Sequence, residues 1–275
     1  MPHLVERWSW ERNKISIMRK KIIVVKVGTN VITNKNNRIL VPILKELVRQ
    51  IAVLYEEHNI MTVLVSSGAA IAGKEVLGEC NIENSSIRRQ VYSSVGQPRM
   101  MRHYYSIFND YGMRCGQVLA TKRDFDPGKY RENMINCYEG LLSQGVIPIA
   151  NEDDAVSLTM SMFTDNDELA SLVAELVDAD KLIILTDTDG LYDGHPDDVD
   201  SKKIDEVRLN QNVEEFVKAS NKGEGEGRGG MKSKLSIAKK TAQKNIPTYI
   251  ANGKTPNIIV DIINDKKVGT KFLSN

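Results

Sequence analysis

The chain has 275 residues, 27% of them charged, and a formal net charge of +1. That length suits one large α/β domain or two lobes sharing a core, and the balanced charge lacks the basic excess expected of a nucleic-acid-binding protein. The three cysteines, Cys80, Cys115 and Cys137, show no C-x-x-C spacing, which argues against a zinc or disulfide framework and for a reducing, cytoplasmic setting. No apolar run approaches membrane-spanning length.

Residues 1–20 are polar, with Trp8 and Trp10 set among charges. They read as an N-terminal extension, disordered or lying ahead of a true start at Met18, and not as a secretory signal, because no apolar h-region is present. The apolar run Ile22–Val25 then predicts a buried strand that stops at Lys26-Val27-Gly28-Thr29-Asn30. A helix with Pro42 in its first turn follows, its stripe formed by Leu44, Leu47, Val48, Ile51 and Tyr55. Met61–Val65 predicts the next strand, ending in Ser66-Ser67-Gly68. Beyond it come a helix over Ile87–Tyr111, a strand at Gln117–Ala120, a helix over Tyr130–Leu142 and a strand at Val146–Ala150. That strand runs into Asn151-Glu152-Asp153-Asp154. Leu158–Phe163 suggests a hairpin arm, a helix starts near Asn166, and Lys181–Leu185 makes a strand closed by Thr186-Asp187. Residues 193–230 read as loop around one helix, followed by a helix from Met231 and strands at Thr248–Ile250 and Thr270–Leu273.

Such alternation predicts a mostly parallel sheet with helices on both faces, and ligands in that architecture sit beyond the carboxyl ends of the strands. The polar clusters fall at those ends, which argues for one shared site. Lys26 beside Gly28 suits an anion held by an ammonium group and backbone N–H groups, although a plain strand-ending turn explains the same residues about equally well. A second glycine-lysine element, Gly229-Gly230-Met231-Lys232-Ser233-Lys234, shifts that balance toward phosphate. Its helix buries Met231, Leu235, Ala238 and Ala242, so Lys234 is expected off the stripe near the first turn, while the other lysines form a solvated face. Asp165-Asn166-Asp167 opens a helix where Asp165 or Asn166 is the natural N-cap.

Two familiar patterns fail on inspection. Gly68 to Lys74 has P-loop spacing, yet Glu75 stands where a hydroxyl should hold magnesium, and the alanines between favour helix. Gly225 to Gly230 fits G-x-G-x-x-G, but no strand leads into it and Glu224 and Glu226 would repel a pyrophosphate. The four histidines show no partners at triad spacing. The remaining inventory of lysines, amides, Asp and Asn suits phosphoryl transfer, where positioning and charge neutralisation do most of the work.

Taken in order, V-V-K-V-G-T-N at 24–30, S-S-G-A at 66–69, V-G-Q-P-R at 95–99, I-A-N-E-D-D-A-V at 149–156, T-D-N-D at 164–167, L-T-D-T-D-G-L-Y at 185–192 and G-R-G-G-M-K-S-K at 227–234 closely resemble the glutamate 5-kinase family of the amino acid kinase superfamily. The likeness runs from Lys21 nearly to the end of the chain. It implies a three-layer αβα sandwich over 21–275, with acceptor binding in the N-terminal part and nucleotide binding over about 165–275. It further implies Lys26 and Lys234 as catalytic lysines organised by Asp167, and Ser67, Asp154 and Asn166 as glutamate-binding residues. Lys26, Gly28, Thr186, Asp187, Arg228, Gly229, Gly230, Met231, Lys232, Ser233 and Lys234 fall on the family's ATP-binding positions. The implied cofactors are ATP and Mg2+, with no protein side chain assigned to the metal. Implied partners are L-glutamate, proline as a feedback inhibitor, further copies in a homo-oligomer (dimer or tetramer) and a functional link to glutamyl-phosphate reductase.

The chain departs from the family at Thr164, where glycine is usual, at Arg228, where threonine is usual, and at Asn30, where serine is commoner. No C-terminal RNA-binding-like domain is expected. Kinases of acetylglutamate, aspartate or UMP are similar in outline, but their K-x-G-G, K-F-G-G-T-S and K-L-S-G signatures fit Lys26-Val27-Gly28-Thr29 less well. A silent binding protein that kept the fold is disfavoured by the presence of both lysines and Asp167.

Overall fold

Strands buried on both faces need continuous apolar runs, and several segments of this chain supply them. In the computed structural model, which describes residues 20–157, 162–194, 198, 200–208 and 230–274, these runs form β1 (Lys21–Val27), β2 (Ile60–Ser66), β4 (Val146–Glu152) and β5 (Lys181–Thr186). The remaining strands are β3 (Arg114–Ala120), β6 (Leu191–Tyr192), β7 (Lys203–Ile204), β8 (Glu206–Arg208), β9 (Thr248–Asn252) and β10 (Thr270–Leu273). The helices are α1 (Thr29–Ile32), α2 (Val41–Glu57), α3 (Ala69–Leu77), α4 (Ser85–Asp110), α5 (Lys129–Ser143), α6 (Asn166–Leu176), α7 (Met231–Gln243) and α8 (Ile258–Ile263), with a 3-10 turn at Lys122–Phe125.

The main sheet has eight strands in the order β3-β4-β2-β1-β5-β9-β10-β8. Every neighbouring pair is parallel except β9 and β10, which run antiparallel. Strand alternation sorts the core into two layers. Ile23, Val25 and Val27 of β1 pack with Leu47 and Ile51 of α2, Tyr104 and Phe108 of α4 and Ile259 of α8. Val24 faces the other way, toward Tyr138 of α5, Leu169 and Val173 of α6, and Leu235 and Ala238 of α7. This is the expected αβα sandwich. Lys26 shares the face of Val24, so the two-residue period alone directs it toward α6 and α7.

Several details differ from the sequence reading. Residues 203–208, expected as loop, contain β7 and β8, and β8 extends the sheet by pairing with β10. The loop expected after Asp193 otherwise falls mostly on residues 209–229, outside the described residues, as does the core of the expected hairpin arm at 158–161. Helix α8 also escaped the sequence pattern. Lys234 is buried along with Leu235, Ala238, Thr241 and Ala242, so it belongs to the inward face of α7 rather than off it. Its apolar stem packs inward while its ammonium group reaches a carboxylate, which a stripe drawn from apolar residues alone misses.

The P-loop-like spacing at Gly68 to Lys74 serves helix packing. A Cβ on Gly73 would lie 1.8 Å from the Tyr92 carbonyl oxygen, and one on Gly96 would lie 1.7 Å from that of Ala69. The two glycines let α3 and α4 meet backbone to backbone. Lys74 pairs at 2.7 Å with the exposed Glu79, well suited to a surface role.

Candidate active site

Parallel strands gather their polar ends along one edge, and there a buried carboxylate meets two ammonium groups. Lys26 Nζ, at the end of β1, lies 2.7 Å from Asp167 Oδ1, and Lys234 Nζ, in the first turn of α7, donates to Asp167 Oδ2 at 3.2 Å. Asp167 is fully buried, and Lys26 and Lys234 are 5% and 8% exposed. The Lys26 contact is an ion pair without hydrogen-bond alignment, since Oδ1 has no hydrogen-bond partner. Two positive charges on one negative leave the trio at +1, an arrangement that favours an incoming anion.

The trio is held by the way α6 begins. Asp165 is the N-cap, its Oδ1 accepting from the Asp167 and Glu168 backbone N–H groups at 2.9 and 3.0 Å. Its Oδ2 accepts from Ser233 Oγ at 2.5 Å, joining α6 to α7 beside Lys234. With Asp165 as cap, Asn166 is released to bond elsewhere. Glu168 accepts from the Thr164 backbone N–H at 2.7 Å and pairs with Lys122 at 2.6 Å, which fixes the turn that enters α6.

Glycines line one side of the trio. A Cβ on Gly28 would lie 3.2 Å from the Leu185 carbonyl oxygen and 3.5 Å from Lys26 Nζ, so a side chain would crowd the approach to the lysine. Gly230 is the N-cap of α7 and brings no capping side chain, a helix start of the kind that receives phosphate. Thr186 Oγ1 donates to Asp187 Oδ1 at 3.1 Å, and Asn30 Nδ2 donates to Asp187 Oδ2 at 3.2 Å. The Asn30 departure therefore has a structural use, bridging the ends of β1 and β5. Met231 and Ser233 are half-buried and Lys232 is exposed. Arg228 and Gly229 lie outside the described residues.

A second cluster lies on the other side. Asn166 Nδ2 donates to Ser67 Oγ at 2.9 Å and to Asn151 Oδ1 at 2.9 Å, linking α6 to the ends of β2 and β4. Gly68, next in the chain, adopts φ +95°, a left-handed conformation that glycine tolerates best. Below Ser67, Ser66 Oγ shares a 2.8 Å hydrogen bond with Tyr104, whose phenol is pushed far above its ordinary value by burial. Asp154 is 8% exposed; its Oδ1 accepts from Arg89 Nε at 2.8 Å and its Oδ2 from Ser93 Oγ at 2.8 Å. A cleft of about 230 Å³ opens beside it, lined by Ser93, Gln97, Gln117, Asp153 and Asp154 among others.

Adjacent residues Asn166 and Asp167 thus serve opposite sides, one reaching β2 and β4, the other β1 and α7. Ser67 and Asn166 come together directly, as do Lys26, Asp167 and Lys234. Arg89 and Ser93, which bond Asp154, were not singled out by the sequence. Nothing local marks them, but the run Glu152-Asp153-Asp154 at a strand end signalled a need for a cation nearby.

A buried lysine pair on an aspartate, helix starts capped by glycine and a mostly parallel sheet together make a place that can receive and neutralise a phosphate. Residues 21–252 match the family model described as the amino acid kinase family. The chain is 40% identical over 253 residues to glutamate 5-kinase of Bacteroides thetaiotaomicron, spanning 91% of this chain and 69% of that protein. It is 38% identical to glutamate 5-kinase of Clostridium perfringens, spanning 92% of this chain and 96% of the relative. Solved structures share the fold at lower identity. A T. acidophilum isopentenyl phosphate kinase product complex aligns with TM-score 0.64 at 18% identity, covering 92% of this chain and all of that one. Carbamate kinase from Giardia lamblia bound to AMP-PNP aligns with TM-score 0.61 at 18% identity, covering 93% and 99%. The chain belongs to the amino acid kinase family, and within it to the glutamate 5-kinases.

Proposed function

We propose that the chain transfers the γ-phosphoryl group of ATP to the γ-carboxylate of L-glutamate, giving γ-glutamyl phosphate, the first step of proline synthesis. The observation that carries this reading is the buried Lys26–Asp167–Lys234 trio between a glycine-lined edge and an amide-rich cluster, in a chain about 40% identical to glutamate 5-kinases.

The acceptor carboxylate has an unperturbed pKa of about 4.3, so it is ionised at neutral pH and needs no general base. An oxygen of that carboxylate bonds to the γ-phosphorus as the bond from phosphorus to the bridging oxygen breaks, and ADP leaves with the electron pair. Repulsion between the acceptor anion and the triphosphate opposes the approach. Lys26 and Lys234 offset it on the equatorial oxygens, and Asp167 holds both ammonium groups in place before the substrates arrive. The nucleotide would bind as its magnesium complex, a substrate in which the ion would offset part of the phosphate charge, with no side chain of this chain assigned to the metal.

In this reading Asp154 and Asn166 receive the α-amino group of glutamate, and Ser67 orients its carboxylate side. Thr186, Asp187, Gly28 and the run from Arg228 to Lys234 receive the nucleotide. Proline is read as a feedback inhibitor and further copies of the chain as partners. The acyl phosphate is a reactive mixed anhydride, so a reductase is the fitting consumer. ADP release measured against a panel of glutamate, aspartate, N-acetylglutamate and UMP tests the substrate. Turnover with glutamate alone supports the reading, and turnover with another acceptor but not glutamate refutes it.

A further inference from the structure

Arg89, on the face of α4 that meets the end of β4, touches two carboxylates that are themselves almost fully buried. Its Nε donates to Asp154 Oδ1 at 2.8 Å and its Nη2 to Glu152 Oε2 at 3.3 Å. Glu152 is 2% exposed and Asp154 8%. The other oxygens of both acids are also engaged. Asp154 Oδ2 accepts from Ser93 Oγ, one helical turn beyond Arg89, and Glu152 Oε1 accepts from the Phe163 backbone N–H at 3.1 Å. Phe163 stands three residues before Asn166, and its ring meets Phe125 edge-on with centroids 5.9 Å apart. One guanidinium therefore fixes Asp154 directly and, through Glu152, the segment that leads into Asn166.

We infer that Arg89, assisted by Ser93, is a positioning residue for glutamate, holding the carboxylate of Asp154 and the entry to α6 in the geometry that accepts the amino acid head. The inference rests on the reading of Asp154 as part of the glutamate site. A planar fork with fixed donor directions suits this task, because it sets both the distance and the angle between two carboxylates. Ser93 supplies the second hydrogen bond to Asp154, so the carboxylate cannot rotate about its terminal torsion without losing one partner. The ion pairs lie on the acceptor side and do not include Lys26, Asp167 or Lys234, so their loss acts on glutamate binding more than on the chemical step.

The test is a set of purified variants with steady-state kinetics in both substrates. R89M is expected to raise the KM for glutamate about tenfold or more, with kcat at saturation within about threefold of wild type and the KM for ATP unchanged. R89K, which keeps a charge, recovers part of that loss. D154N raises the glutamate KM by itself, and adding R89M to D154N multiplies it by a smaller factor than R89M does alone, because the arginine acts in part through the aspartate. If D154N raises the glutamate KM while R89M leaves it at the wild-type value, or if the two effects multiply in full, the role of Arg89 is overturned and the Asp154 assignment stands. If D154N has no effect on glutamate, the Asp154 assignment fails and the inference with it. Should R89M not fold, S93A carries the test: a rise of about two- to fivefold in the glutamate KM supports the proposal, and an unchanged value overturns it.

Discussion

Asn166 offers the cleanest view of how single residues divide the labour of the site. Its amide nitrogen bonds Ser67 and Asn151, while its neighbour Asp167 turns to the two lysines. N166A should raise the KM for glutamate about tenfold and leave that for ATP within about twofold, as steady-state kinetics would show. A shift in the ATP constant instead would contradict the division into acceptor and nucleotide sides. At this scale much was legible in the sequence. Lys26 and Gly28 stood at a strand end, the glycine pair preceded Lys234, and Asp165 to Asp167 opened a helix. The missing part was the long-range contacts made by residues outside the recognised motifs. Arg89 and Ser93 lie more than 60 positions from Asp154 and carry no local mark. Lys234 was read as lying off the buried stripe because only apolar residues defined it, yet its stem is packed and its charge is matched by Asp167.

Among the elements, the strands with unbroken apolar runs were legible because burial on both faces leaves little choice of residue. Helix α8 was not, since Ile-Ile-Val-Asp-Ile-Ile is a strand-like composition. Its helix is stabilised by α2: Glu46 accepts from the Asn257 backbone N–H at 3.1 Å and Gln50 from that of Ile259 at 2.7 Å. Tertiary hydrogen bonds here outweigh local propensity. The α3–α4 contact makes a sharper prediction. G73A should destabilise the protein by about 3 kcal/mol or more, because its Cβ meets backbone that cannot step aside cheaply. Urea unfolding measures it, and a variant of wild-type stability would contradict the packing. A pH effect belongs to α6. Burial raises the pKa of Glu168, but the Lys122 ion pair and the Thr164 N–H outweigh it and leave the carboxyl below its ordinary value of 4.5. The stability it contributes is present above that value and lost as pH falls through the lowered one. E168Q should therefore unfold at lower urea than wild type at pH 7, with the gap closing below about pH 4.

Across the whole molecule, the sheet brings strand ends from residues 26 to 252 onto one edge, so an amide-rich cluster and a glycine-lined edge flank the charged trio. None of the described helices is long and apolar enough to cross a membrane. Proline shares the α-amino and α-carboxylate groups of glutamate but has no γ-carboxylate to phosphorylate. A pocket built on Asp154, Asn166 and Ser67 should admit either ligand's head and not both. Proline should then raise the apparent KM for glutamate without lowering the rate at saturation. Inhibition that persists at saturating glutamate would put the proline site elsewhere.

Phosphoryl transfer to the glutamate carboxylate rests, in the proposed function, on Lys26 and Lys234 joined by Asp167. Its most direct measurement is trapping the acyl phosphate as its hydroxamate, with ATP and glutamate both saturating, in the wild type and in K26A and K234A. The wild type should form hydroxamate steadily and each variant should lose on the order of 10²-fold or more, with glutamate binding little changed. No hydroxamate from the wild type, or near wild-type rates from either lysine variant, would contradict this expectation.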